Sequence, residues 1–136
     1  MTHISKAVPI GIALVENDGQ FLVGLRPDGV ALAGYSEFPG GKCLDNETPA
    51  ECAIRECHEE TGLVVVTIEE LDRTTFEYEH ATVDLSFWLC HLTGQLSRVE
   101  PPWEWLSLES LKTRKFPDAN AGILEKLLLC EARKSQ

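Results

Sequence analysis

The chain has 136 residues, 43% of them hydrophobic, which is enough for one core and too few for two ordinary domains, so a single domain over residues 1–136 is expected. A formal net charge of -10 opposes binding to a nucleic-acid polymer, because that binding is driven by Lys/Arg neutralisation of phosphates. Five cysteines form an odd set without a C-x-x-C pair, which speaks against a disulfide framework or zinc site and fits reduced thiols in the cytoplasm. The apolar stretch at 7–15 contains Pro9 and Gly11 and is too short to cross a membrane, so no membrane partner is expected.

In chain order, residues 8–15 are rich in branched side chains and residues 20–25 form a second apolar run. Asn17, Asp18 and Gly19 stand between them as a turn that tolerates positive φ, which predicts a β-hairpin. Residues 26–35, with Pro27, Gly29 and Gly34, read as a loop. Thr48, Pro49 and Glu51 then form a helix start: a hydroxyl cap, a proline at the first helical position and the acidic partner of a capping box. The helix should run to about Thr61, with Gly62 as a left-handed cap before a strand resumes at Leu63. Residues 64–76 and 83–92 read as strands, 103–106 as a shorter one before 108–111, and 119–132 as a helix with Ile123, Leu124, Leu127 and Leu128 on one face. Strands dominate, with two helices.

The chemistry concentrates on the middle helix. Glu56, Glu59 and Glu60 lie three and four apart, on or near one face, where like charges repel. Such a face is either a solvated acidic surface with Arg55 as local partner or a seat for a hard divalent cation, which prefers several carboxylate oxygens. The spacing around the helix bears on that choice. Gly41, then Glu47, then Arg55-Glu56-Cys57-His58-Glu59-Glu60-Thr61-Gly62-Leu63 matches G-x5-E-x7-R-E-U-x-E-E-x-G-U at every fixed polar and glycine position, with Cys57 serving as a small hydrophobe.

On these residues, 41–63, the chain resembles the Nudix hydrolase family. The resemblance implies an α/β (α+β) fold, an α/β/α sandwich with a mixed β-sheet and a loop-helix-loop motif. It implies a magnesium or manganese site on Glu56, Glu59 and Glu60 with the Gly40 carbonyl, and catalytic roles for Arg55, Glu56, Glu59 and Glu60. Glu47 would tie the loop to the helix through Arg55.

Glu37-Phe38-Pro39-Gly40-Gly41-Lys42 and the later Phe116-Pro117-Asp118-Ala119-Asn120 are similar to the MutT branch, which hydrolyses 8-oxo-dGTP to the monophosphate and pyrophosphate. That likeness implies substrate contacts at Arg26, Glu37, Phe38, Pro39, Lys42, Tyr78 and Asn120, with the Asn120 amide on the purine edge as donor and acceptor together. Taken alone, Asn120 reads as a first-turn helix residue, Arg26 as a surface arginine and Phe38 as a core aromatic. Glu100 is the nearest candidate for a further metal carboxylate before the tryptophan strand. The segment between Arg26 and Glu37 has Ala31 where some relatives place a phosphate-binding histidine, and the 79–84 hairpin is short. His58, inside the motif, reads as an exposed helix residue. The expected ligand is a small nucleotide, the expected state a monomer or homodimer. The rival readings are another Nudix substrate, such as CTP or dCTP derivatives or ADP-ribose, and a nucleotide-binding regulator without turnover.

Overall fold

A computed structural model describes residues 7–94 and 97–134, with side chains described up to residue 129. Its backbone is a mixed sheet between helices, and the layering starts from strand β1, Val8–Asn17. β1 alternates in the sense that a doubly covered strand must. Ile12 and Leu14 join a cluster with Phe21, Phe87, Phe116 and Ile123, while Ala13 and Val15 join one with Ala53, Cys57 and Leu63. The first cluster is roofed by helix α3 (Ala121–Lys134) and the short helix α2 (Leu108–Leu111), the second by helix α1 (Pro49–Thr61). This is the α/β/α sandwich that the resemblance implied.

β1 lies parallel to β6 (Ala81–Leu92) through eight residue pairs from Val8↔Val83 to Val15↔Cys90, and β6 lies antiparallel to β5 (Val65–Tyr78). On its other edge β1 pairs with β4 (Gly40–Lys42), as Ile10↔Lys42, Gly11↔Gly41 and Ile12↔Gly40. The β1–β2 hairpin forms, with Asp18 at φ 51° and Gly19 at φ 79°, but its pairing is confined to Glu16↔Phe21 and Asn17↔Gln20. β2 (Gln20–Leu25) diverges because β4 occupies the edge of β1 beyond that point. β2 pairs instead with β3 (Ser36–Glu37) and β7 (Glu104–Ser107). The β3 and β4 strands were not legible as strands in the sequence.

Three further boundaries shift. Residues 108–111 form the single turn α2, capped by the Ser107 hydroxyl on Ser110 N–H. The last helix is entered through a 3₁₀ turn, Asp118–Asn120, because Pro117 fixes the approach and the Asn120 N–H reaches the Pro117 carbonyl. β5 carries two register irregularities, at Thr67/Glu69 and Glu70/Asp72.

α1 begins and ends as its sequence dictates. Thr48 Oγ1 accepts from Glu51 N–H at 3.2 Å and Glu51 Oε1 accepts from Thr48 N–H at 2.9 Å, a reciprocal capping box. Gly62 closes the helix at φ 81°, its N–H bonded to the His58 carbonyl. The helix lies unusually close to β1. A methyl group on Gly11 would collide with the Pro49 carbonyl and come within 2.8 Å of Cys52 Cβ and 2.9 Å of Ala53 N. Gly11→Ala should therefore lower unfolding free energy by about 1–3 kcal/mol in urea titrations, since backbone and helix would have to part. A stability equal to wild type would show that α1 shifts at no cost.

Candidate functional site

The same close approach brings the acidic face of α1 over the glycines of β4. A Cβ on Gly41 would lie 2.5 Å from Glu56 Cδ, so only glycine leaves room for that carboxylate. Gly40 N–H donates to Glu60 Oε1 at 3.2 Å and Oε2 at 3.5 Å. Cys52 Sγ donates to the Gly41 carbonyl at 3.2 Å, a tie between helix and strand that the sequence did not announce.

Arg55 organises the carboxylates. Its Nε and Nη2 grip Glu47 Oε2 and Oε1 at 2.7 and 3.0 Å, a bidentate pair, while Nη1 reaches Glu56 Oε1 and Glu59 Oε2, each at 3.0 Å. Nη2 also donates to the Lys42 carbonyl at 3.1 Å, and Glu47 Oε1 accepts from Leu44 N–H at 3.1 Å. One guanidinium thus holds the loop after β4, the strand end and two helical carboxylates. Hydrogen bonding to Arg55 holds the Glu47 carboxyl at about 2, and the same bonds raise the arginine above its ordinary value.

Glu60 has no such partner. Burial pushes its carboxyl up to about 7; the Gly40 N–H works against that rise, and the charges of Glu56, Glu37 and Glu59 add to it. Glu37 reaches this group because it sits on β3, and burial raises its carboxyl too, against the pull of Arg26. Arg26 Nη1 lies 3.9 Å from Glu37 Oε1, and its Nε donates to the Ala31 carbonyl at 2.8 Å. Across the strand pair from Glu37, Gly24 leaves space for the Trp103 ring, which would lie 2.8 Å from a Cβ there. Trp103 carries no motif spacing, and its place over Gly24 follows only from the fold.

The remaining candidates separate into two groups. Phe38 is buried, stacked on Phe116 with ring centroids 5.0 Å apart, and Pro39 is buried with its carbonyl accepting from Ala13 N–H. Asn120 is 8% exposed; its side-chain amide has no hydrogen bond to the described residues and keeps access to solvent, since no buried side-chain N or O atom among them is left without a partner. Because Asn120 follows Phe116 by four residues, the Phe38–Phe116 stack ties its segment to the strand that continues into Gly40 and Gly41. Lys42 is exposed at the end of β4. Tyr78 is exposed at the tip of β5, tilted against Phe76. Glu100 is not brought to the helical glutamates: its side chain is 77% exposed and lies 3.6 Å from Arg98 Nε. His58 is exposed.

The helix thus supplies three hard-oxygen donors, and these suit a divalent cation. As they stand, Arg55 engages Glu56 and Glu59, and among the described residues no three His, Cys, Asp or Glu side chains converge on one point. A cation would have to draw Glu56 and Glu59 from the guanidinium. The raised Glu60 carboxyl supplies a reason for it to bind, because a nearby positive charge favours the ionised form that burial penalises.

Residues 11–126 match the family model described as NUDIX domain. The chain belongs to the Nudix family. It is 31% identical over 126 residues to 8-oxo-dGTP diphosphatase of Haemophilus influenzae, spanning 90% of this chain and 93% of the relative. It is 30% identical over 131 residues to CTP pyrophosphohydrolase of Escherichia coli, spanning 95% and 97%. The solution structure of the E. coli ORF135 protein superposes with a TM-score of 0.77 at 26% identity, covering 95% of this chain and 94% of that one. The Nudix assignment makes the chain a hydrolase of nucleotide phosphoanhydrides, an activity in keeping with the names of these relatives. No helix among the described residues is long and apolar enough to cross a membrane.

The Glu47–Arg55 pair has a pH signature. A carboxyl held at about 2 when folded, against 4.5 ordinarily, contributes stability that is present above about pH 4.5 and lost as pH falls toward 2. Glu47→Gln should therefore be less stable than wild type at pH 7, and the gap should narrow at pH 3. Urea unfolding of both proteins at the two pH values checks this; a gap that does not change with pH would mean the carboxylate charge contributes nothing.

Proposed function

We propose that this Nudix hydrolase is a magnesium-dependent nucleoside triphosphate pyrophosphohydrolase that cleaves 8-oxo-dGTP or a related oxidised purine deoxynucleotide to the monophosphate and pyrophosphate. The observation that carries the purine reading is Asn120: its residue is only 8% exposed, its side-chain amide has no hydrogen bond to the described residues and is not sealed from solvent, and its segment is fastened through Phe116 to the strand that leads into Gly40 and Gly41. An amide reached by solvent and not engaged by the described residues is free to meet a ligand that offers both an acceptor and a donor edge. The likeness to 8-oxo-dGTP diphosphatases supports the same reading.

In this proposal Glu59 and Glu60 would hold magnesium together with the Gly40 carbonyl, Glu56 would be a further ligand or the base, and Arg55, itself fixed by Glu47, sets the orientation of the carboxylates. Manganese offers the same preference for oxygen ligands. When bound, the ion supplies charge neutralisation and a more acidic water. Water attacks the phosphorus nearer the nucleoside, its proton passes to a helix carboxylate, and the bridging P–O electrons leave with pyrophosphate. Arg26 and Lys42 offset charge on the departing phosphates. Glu37, Phe38, Pro39 and Tyr78 would supply the remaining substrate contacts that the family likeness implies. Glu100, turned to Arg98, is left out of the ligand set. The whole domain, residues 1–136, acts as one unit on a small nucleotide in the cytoplasm.

A second reading, hydrolysis of CTP or a dCTP derivative, is favoured by the 30% identity to CTP pyrophosphohydrolase over nearly the whole of both chains. A hydrolysis screen with magnesium against 8-oxo-dGTP, dGTP, CTP, dCTP and ADP-ribose separates the two. Preference for 8-oxo-dGTP with pyrophosphate release is expected, and a cytidine or ADP-ribose preference would replace the purine reading. Asn120→Ala should lower kcat/KM for the preferred purine by about tenfold or more while changing CTP turnover little, since it deletes one buried hydrogen-bonding group. Glu60→Gln, or removal of metal by chelation, should cost about 100-fold or more in kcat. Binding without turnover in wild type and Glu60→Gln alike would instead mark a regulator.

A further inference from the structure

The seam between β4 and α1 holds two thiols that the hydrolytic chemistry does not use. Gly41 faces α1, since a Cβ on it would meet Glu56, and the strand direction continues for two more residues, with Cys43 N–H bonded to the Pro9 carbonyl at 2.9 Å. Side chains two apart on an extended strand share a face, so Cys43 also points toward the helix. From the helix side, Cys52 lies over Gly11, the cross-strand partner of Gly41, and its thiol reaches the Gly41 carbonyl at 3.2 Å. The two thiols thus lie on facing sides of one seam, and Cys43 is among the groups that raise the Cys52 thiol.

We propose that Cys43 and Cys52 form a redox pair which a hydroperoxide converts to an intrachain disulfide, fastening residues 44–51 against the start of α1. The peroxide first transfers oxygen to the Cys43 sulfur, giving the sulfenic acid and an alcohol or water. The Cys52 thiol then attacks that sulfur, water leaves with the Cys52 proton, and the S–S bond forms. The protein loses two hydrogens and the peroxide takes up two electrons.

The order of events follows from access. Cys43 is half-buried and within reach of solvent, whereas Cys52 is fully buried. Burial, and then Cys43 itself, push the Cys52 thiol up to about 12, which keeps it from being the first group oxidised; it gives up its proton only as it attacks the sulfenic acid. Cys57 also raises the Cys90 thiol, but both are 0% exposed, so an oxidant from solvent does not reach them in the folded protein. They serve as an internal control. The ring closed by the bond contains Glu47 and the capping box, so oxidation restrains the loop that fixes Arg55.

The test is treatment of the whole protein with hydrogen peroxide, alkylation of remaining thiols, and mass mapping of a non-reducing digest. The expected product is a peptide pair joined through Cys43 and Cys52, two hydrogens lighter than the sum of its parts. It should be the majority form, be reversed by dithiothreitol, and be absent in Cys43→Ser and in Cys52→Ala. Recovery of Cys43 as sulfinic acid with Cys52 still alkylated would overturn the proposal. So would two free thiols after treatment, or a bond from Cys43 to any other cysteine.

Discussion

The site depends on how closely one helix approaches one strand pair. α1 lies so near β1 and β4 that Gly11 and Gly41 leave no room for a methyl group, and the Glu56 carboxylate occupies the space above Gly41. With any other residue at those positions the helix would stand farther off, and Gly40 N–H would lose its reach to Glu60. The cost of this proximity falls on the backbone, because two adjacent glycines weaken a strand. β4 is accordingly only three residues long and relies on β1, whose other edge is secured by eight pairs with β6.

Proximity alone would be unfavourable, since it gathers Glu37, Glu56, Glu59 and Glu60 in one region that is partly shielded from water. Arg55 answers half of the problem. It is committed to Glu47 by two short bonds and has one nitrogen left for Glu56 and Glu59 together, while Glu60 receives only a peptide N–H. The electrostatics are therefore deliberately incomplete in the physical sense that one more positive charge would lower the energy. Tying the loop and setting the charge of the acidic face thus fall to the same few side chains: the arginine that completes the scaffold also sets how much negative charge is left over.

What could be read in the sequence was what is decided locally. Thr48, Pro49, Glu51 and Gly62 bound α1 because caps act within a turn, and the alternation of β1 and β6 showed in their branched residues. The glutamates share a face by helical spacing alone. The strands β3 and β4 did not show, because Ser36–Glu37 and Gly40–Lys42 are extended only through partners far along the chain, β2 and β1. For the same reason the early termination of the β1–β2 ladder, the nearness of Glu37 to Glu60, and the position of Trp103 over Gly24 had no sequence signal. Glu100 illustrates the converse: its place just before the tryptophan strand suggested a ligand, yet its loop presents it to Arg98 and solvent.

The short segment 36–41 joins the two faces of the sandwich. Phe38 points into the α3-side core and stacks on Phe116, while Glu37 and Gly41 face the α1 side, where Trp103 and Glu56 lie. Alternation along one extended stretch therefore connects the buried Asn120 segment on one side to the carboxylates on the other, with only Pro39 and Gly40 between. Pro39 is buried and held by Ala13 N–H, so the connection is stiff. The position of the Asn120 segment relative to the acidic face is therefore fixed by this stretch of backbone and the Phe38–Phe116 stack, without a moving part.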